Sequence, residues 1–469
     1  MAWTTACAGL IAAFAVGSCA SGGYAQQPVG DAPTKARAVD GRYISWREHI
    51  IDERTDDGRP LTGGDGLAMA DLDLDARQDI VSVHEWDVRY DGVPDGQVRI
   101  AFRTDDPDRW VNVTLASGPE AGAPEDVAIG DLNGDGYPDV VVAAELGHLI
   151  YFENPGQSAR SEPWRRLVVP TTKGRGSFIR VFMADLDGDG QLEVSAANKV
   201  EQNPTPKTPP GPISVFELLG PPLDGASWRE VELGTYGVAQ NAMPVDIDGD
   251  GDIDIVGGAR VGARLIIFRN DPSGLVPIEV STEGGRTGGF NLAFHDFDGD
   301  GRLDIVAVSA RRLGWYKQPD SLHGIWRFNE IGSFEPDRVT GFTLADVDGD
   351  GDFDLIAGGY SDMPRDTDGD LPVTASMGRL GWFENPGVAT GGWVKHDISR
   401  RRRGMFDAFV AQDVDGDGDV DFVGTRGNSE PYDGVFWLEQ VRSTTPLPAF
   451  TRGRTKDSAE YPLPAASIP

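Results

Sequence analysis

Residues 346–354 read DVDGDGDFD, an acidic nonapeptide between two apolar runs, GFTLA before it and LIAGG after it. The same form recurs along the chain. DLDLDARQD starts at Asp71, DLNGDGYPD at Asp131, DLDGDGQLE at Asp185 and DIDGDGDID at Asp246. DFDGDGRLD starts at Asp296 and DVDGDGDVD at Asp413, which makes seven units whose starts lie 50 to 67 residues apart. A repeat of that length suits one small sheet with its loops, and repetition at a fixed period marks a solenoid or a propeller.

Each unit reads as four strands, since short β-branched and aromatic runs alternate with Gly, Pro, Asn and Asp. The first strand ends in the acidic loop and the second follows at once, as in DIVSV, DVVVA and DLIAG. The third carries an aromatic, as in LIYFENPG, LIIFRNDP, LGWYKQPD, LGWFENPG and VFWLEQ. The fourth begins near a tryptophan: Trp110, Trp164, Trp228, Trp326 or Trp393. The chain enters on YISWREHII, a fourth strand around Trp46 with no three strands before it, and the last unit stops after its third strand. Pairing these two ends closes the ring and removes its open edges. The fold class expected is therefore all-β, a seven-bladed propeller over residues 43–440 in which the N-terminal strand completes the last blade.

The acidic loops are expected to hold a hard cation. Carboxylates at positions 1, 3, 5 and 9, a main-chain carbonyl at position 7 and a glycine at position 6 for the turn match the oxygen-rich, flexible shell of calcium. The candidate ligands are Asp71, Asp73, Asp75 and Asp79; Asp131, Asn133, Asp135 and Asp139; Asp185, Asp187, Asp189 and Glu193; and Asp246, Asp248, Asp250 and Asp254. Asp296, Asp298, Asp300 and Asp304, then Asp346, Asp348, Asp350 and Asp354, and Asp413, Asp415, Asp417 and Asp421 complete the set, for up to seven calcium ions. An EF-hand is excluded, because position 12 is Ser82, Val142, Ala196, Gly257, Ala307, Ala357 or Gly424 rather than glutamate. Ala76 replaces the position-6 glycine of the first loop, so that loop is expected to bind more weakly. DTDGD at 366–370 lacks the glycine and the final aspartate and reads as a polar insertion.

These motifs resemble the FG-GAP/VCBS repeat family, the calcium-bearing blades of integrin α-chain heads and of many exported bacterial proteins. The resemblance covers roughly residues 43–440. It implies a propeller with its calcium loops on one face. It leaves the task open, since members serve as adhesion heads, lectins, scaffolds and sugar lyases or dehydratases.

Composition agrees with a binding or structural role more readily than with catalysis. The chain of 469 residues carries a net charge of −33, and the seven nonapeptides hold 30 acidic residues against two arginines, a net −28. So acidic a surface excludes general nucleic-acid binding, which needs clustered Lys and Arg. The two cysteines, Cys7 and Cys19, both fall in the N-terminal leader, so the body has no disulfide and no thiol nucleophile. Residues 4–16 are apolar but too short to span a bilayer, and 1–25 read as a signal peptide. Val16-Gly17-Ser18-Cys19 resembles a lipobox that would lipidate Cys19, and Gly23-Tyr24-Ala25 is a competing cleavage site. Export follows from either reading, as a secreted or lipid-anchored envelope protein. Residues 26–42 read as a linker and 441–469, rich in Pro, Ser and Ala, as a disordered tail.

The face opposite the acidic loops collects cations. Arg89, Lys199, Arg260, Arg264, Arg311 and Arg426, with the amides Asn241 and Asn291, are candidate ligand-binding residues, and Arg180, Arg379 and the run Arg400–Arg403 add to the charge. Arginine forks bind carboxylates well, and loops on a rigid scaffold are where binding concentrates. This predicts an anionic carbohydrate or an envelope or surface protein as partner. The alternative is a sugar-directed lyase or dehydratase with His84 as base and Arg89 and Tyr90 beside it, since such chemistry needs a proton acceptor and a carboxylate-neutralising cation. A third reading is a purely structural surface protein. His49, His295 and His396 are expected to be structural.

Overall fold

Every acidic nonapeptide joins the first and second strands of an antiparallel sheet, as the apolar-loop-apolar pattern demands. The computed structural model describes residues 27–86, 92–361, 371–387 and 392–465, and in it seven such sheets form. Blade 1 comprises Gly64–Ala70, Asp79–Glu85, Gly96–Arg103 and Trp110–Ser117, paired in that order. Blades 2 to 6 repeat the plan over 124–168, 178–236, 239–279, 292–333 and 338–401. Blade 5 gains an outer strand, Ser281–Glu283, parallel to Ile325–Ser333. The signal-peptide segment, the lipobox cysteine and the 366–370 insertion lie outside the described residues.

Ring closure follows the sequence reading. Tyr43–Asp52 pairs antiparallel with Gly434–Ser443, the third strand of blade 7, with Trp46 opposite Gln440. Packing closes the circle as well. Seven apolar clusters each fill the space between two neighbouring blades. Val81 meets Val142 between blades 1 and 2, and Val141 meets Phe216 between 2 and 3. Ile213 and Phe268, Ile267 and Tyr316, and Trp315 and Phe383 continue the series. Trp382 joins Phe436 between blades 6 and 7, and Trp437 joins Ile80 between 7 and 1. With a neighbour on both faces, the second strands are buried almost throughout, and at every position in Asp139–Ala144 and Asp254–Ala259, and read as continuous apolar runs rather than alternating ones. The inner strands crowd at the axis. A Cβ on Gly341 would lie 2.4 Å from the Asp407 carbonyl oxygen, so only glycine fits there.

Both flanking segments depart from expectation. Over their described residues, 27–42 and 441–465, the expected linker and disordered tail are packed parts of the ring. Phe450–Thr451 adds a fifth strand to blade 7, parallel to the N-terminal strand with Phe450 opposite Trp46. Pro33 bridges to Pro448, the Val29 amide donates to the Tyr461 carbonyl at 3.1 Å, and Ala36 and Ala38 are buried. The reason is electrostatic. Arg401 and Arg426 are 1% exposed, and Asp457 of the tail reaches them at 3.3 and 2.8 Å. Glu460 accepts from the Arg400 amide at 3.1 Å. A Pro-rich segment with no strand pattern is thus held because buried guanidinium groups require its carboxylates.

Candidate functional site

The loops are built by their glycines. In the sixth loop Gly349 and Gly351 take φ of +83° and +95°, which turns their amides toward Asp346. They donate to Asp346 Oδ1 and Oδ2 at 2.8 and 3.0 Å and so fix the first carboxylate. The ninth residue, Asp354, is fully buried. Its Oδ2 accepts from the Val347 amide at 2.8 Å and its Oδ1 from the Asn385 amide at 2.7 Å. The position-2 amide donates to the ninth carboxylate in all seven loops. The ninth residue therefore clamps the loop to its own sheet besides offering oxygen. Burial pushes Asp354 and Asp421 up to about 8, with the neighbouring loop aspartates adding to the rise.

The carboxylates converge. Ligand atoms of Asp185, Asp187 and Glu193 lie within 4.8 Å of one another, as do those of Asp246, Asp248 and Asp250, and of Asp296, Asp298 and Asp300. Asp298 Oδ1 is buried without a hydrogen-bond partner. Several like charges this close, already oriented by amides and short of protein cations, fit a hard metal ion.

The first loop solves the same problem differently. Leu74 and Ala76 occupy φ of +59° and +68° at positions where the other six loops have glycine, so this turn carries backbone strain that theirs avoid. Arg160 of blade 2 reaches across to pair with Asp73 and, at 2.7 Å, with Asp75, which Arg77 also holds at 2.7 Å. Guanidinium groups stand where a metal would compete. In the fifth loop Lys317 pairs with Asp298 and lies 3.1 Å from Asp300, so the charge there is partly met as well.

At the opposite mouth, most of the described cations expected to form a basic ligand face are already paired within the chain. Lys199 is buried and paired with Glu145. Arg426 is committed to Asp457, Arg400 and Arg379 to Asp337, and Arg180 to Asp407 at 3.1 Å. Asn241 donates to the Phe290 carbonyl, and Asn291 donates to the Thr340 carbonyl while accepting from Arg180. Arg264 pairs with Glu279, Arg311 donates to the Pro336 carbonyl, and among the described members of this set only Arg260 is both exposed and bonded to a neutral partner, Gln240. Arg89 and Tyr90 lie outside the described residues. A cavity of about 210 Å³ at this mouth is lined by four carboxylates, Asp65, Glu125, Glu145 and Asp407, against Lys199 and Arg260. The loops are basic in sequence because their cations serve as internal counter-ions, and the centre they surround is acidic. Burial first, then Glu145, pushes Glu125 up to about 8.

The FG-GAP-like repeat model matches residues 71–142, 131–195, 246–307 and 296–357, which together cover half of the chain. The chain belongs to the FG-GAP-like repeat family. No curated protein matches it. Among solved structures, BBS1N in complex with ARL6DN is 11% identical, with 88% of this chain and 100% of that chain covered and a TM-score of 0.44. A lectin from Agrocybe aegerita that recognises non-reducing terminal N-acetylglucosamine is 15% identical, with 71% and 80% covered and a TM-score of 0.44. Likenesses this distant carry no argument about function.

The FG-GAP-like blades also place the histidines. His84 is fully buried, its ring 3.0 Å from the Ser82 hydroxyl, and burial, reinforced by Arg99, lowers it to about 3. The assignment of His84 as a catalytic base fails, since it would accept a proton only in strong acid. His49 and His396 are structural as expected: each stacks on a third-strand tryptophan, Trp437 or Trp382, and bonds an acid, Glu439 or Glu384. His295 packs between Phe297 and Phe353.

Sequence reasoning missed one set of residues. The amide that ends the third strand ties one FG-GAP-like blade to the loop of the preceding one. Asn154 donates to the Leu72 carbonyl, Asn270 to Leu186, Gln318 to Ile247 and Gln440 to Val347, at 2.6 to 3.0 Å. The signal was present as the Asn or Gln in FENPG, FRNDP, YKQPD and WLEQ. Its purpose needs the neighbouring blade to be seen.

Proposed function

We propose that this FG-GAP-like propeller is an exported calcium-binding module whose loaded loops rigidify a ring that binds a carbohydrate or an envelope or surface protein. One observation carries the calcium assignment: backbone amides orient the first and ninth carboxylates in the same way around the ring, while most loops lack cations to match their charge. Calcium takes 6–8 oxygens in flexible geometry, which suits these side chains and the position-7 carbonyl. Export rests on the leader and its two alternative processing sites. Among the described residues no helix is long and apolar enough to cross a membrane, and lipidation of Cys19 would supply an anchor.

The charge argument for an anionic glycan does not survive the acidic mouth, so the ligand class is carbohydrate or surface protein without that restriction. The lyase reading loses support from His84, which is buried with its pKa lowered. A glycan array and an envelope-extract pull-down, each with calcium and with EDTA, test the proposal. Calcium-dependent retention of a saccharide or of one surface protein is the expected result. Retention of neither in calcium would leave the purely structural role.

A further inference from the structure

In four blades one residue sits between two repeat loops. In blade 4 it is Asn270, two residues after Phe268. Its main-chain amide donates to Asp254 Oδ1 of its own loop at 2.6 Å. Its side-chain amide donates to the Ile253 carbonyl of that loop at 3.2 Å and to the Leu186 carbonyl of the third loop at 2.6 Å. Leu186 in turn donates its main-chain amide to Glu193, the ninth residue of the third loop, at 2.8 Å. A continuous path of hydrogen bonds thus runs from one ninth carboxylate to the next. Gln318 repeats it from Asp304 through Ile247 to Asp254, joining loops 5 and 4. Gln440 repeats it from Asp421 through Val347 to Asp354, joining loops 7 and 6, and Asn154 joins loops 2 and 1. The path is broken at three seams. Leu218 holds the place in blade 3 and Arg103 in blade 1, and neither has a side-chain amide. In blade 6 Asn385 bonds the Phe353 carbonyl of its own loop, and among the described residues it bonds nothing in the fifth loop.

We propose that these side-chain amides couple calcium binding in neighbouring loops, so that the ring responds in separate arcs. Loops 3, 4 and 5 form one arc and loops 6 and 7 another. Loop 2 stands alone, because its linked neighbour, loop 1, is held by Arg160 and Arg77. This rests on the calcium reading of the loops and goes beyond it. An ion that takes a ninth carboxylate fixes the third-strand residue whose amide bonds that carboxylate. The same residue holds position 2 of the neighbouring loop, and with it the neighbour's ninth carboxylate. Ordering done by the first ion need not be repeated for the second, which is positive coupling without a change of fold. Asn270, Gln318 and Gln440 are positioning residues in this scheme and touch no ion.

Equilibrium dialysis of the full chain against calcium tests the coupling with two variants, Asp250→Ala in loop 4 and Asp135→Ala in loop 2. At saturating calcium each should hold one ion fewer than the wild type. At the free calcium that half-fills the wild type they should part. Asp135→Ala should lose about half an ion, whereas Asp250→Ala should lose more than one, since a coupling on the order of fivefold empties loops 3 and 5 as well. Gln318→Met removes the amide and keeps the length of the side chain. In that background the shortfall caused by Asp250→Ala should shrink, because loop 5 no longer feels loop 4. Comparing Asp250→Ala with Asp135→Ala alters no linking amide, so poor folding of Gln318→Met leaves that comparison intact. Equal shortfalls for the two at half-filling would overturn the coupling, while the single ions lost at saturation left the calcium reading standing. A shortfall that Gln318→Met does not change would overturn the role of the amide. A wild type that binds no calcium would overturn the inference together with the reading beneath it.

Discussion

The two faces of the ring carry the same sign of charge and neutralise it by different means. On the loop face, backbone amides orient the carboxylates, as around Asp346 and Asp348, in the arrangement that the proposed exchangeable ion would complete. On the opposite face they are buried against cations of the chain itself, as in Asp457 with Arg426 and Arg401, or Asp337 with Arg400. If the loops take calcium as proposed, the first arrangement responds to the medium and the second does not. The first loop is the informative intermediate. It sits on the loop face, yet Arg160 and Arg77 supply its positive charge. A guanidinium is permanently charged and tethered, so it competes with a metal at the cost of ordering its own side chain and without capturing a free ion.

Chelation should separate the faces most strongly. A ligand that binds only the folded state adds about 2.7 kcal/mol per independent site at 100 times its Kd, so several loaded loops make a large sum. The thermal midpoint should drop sharply from millimolar calcium to EDTA, and equal midpoints would remove the metal from the loops. Next in size is Asp457→Ala. Removing one partner of a buried pair costs about 3–5 kcal/mol. Urea unfolding should show that loss in calcium and in EDTA alike; a loss confined to calcium would mean that the tail acts through the metal loops.

The third prediction compares two loops. Asp350→Ala should cost about one site's stabilisation, on the order of 2–3 kcal/mol in calcium, and almost nothing in EDTA. Asp75→Ala should show little calcium dependence, because Arg160 and Arg77 already meet that carboxylate. Equal calcium dependence in the two variants would place a metal in the first loop despite its arginines.

The smallest effect is a pH trend. Asp354 and Asp421 are raised to about 8 by burial. A carboxyl that holds its proton more tightly when folded stabilises the fold fully below about pH 4, and that contribution is lost as pH rises through about 8. In EDTA the unfolding midpoint should therefore fall between pH 5 and pH 8. In calcium the trend should flatten or reverse, since the ion requires the ionised form. A midpoint in EDTA that climbs over this range would show that these aspartates are not the controlling groups.

Local pattern settled much of this molecule. The seven loops, the glycines that turn them and the continuous apolar second strands are short-range features, and each states its conformation within about ten residues. Trp46 betrayed the closure, because a fourth strand without its blade must pair elsewhere. The amides at Asn154, Asn270, Gln318 and Gln440 were visible but mute, since their acceptors belong to another blade.

What the sequence could not settle was which charges face each other. A count of arginines in the connections pointed to a basic mouth, and composition of the last residues pointed to a loose tail. Both depend on partners far away along the chain: Arg401 meets Glu48 and Asp457, and Arg180 meets Asp407. Repeat, turn and strand are determined locally by steric and apolar patterning, so they were legible in the amino acids alone. Charge compensation is decided by distance in space, and only ring closure brings those residues together; the tertiary structure therefore decided that the mouth is acidic, that His84 is inert as a base and that the tail is a clamp.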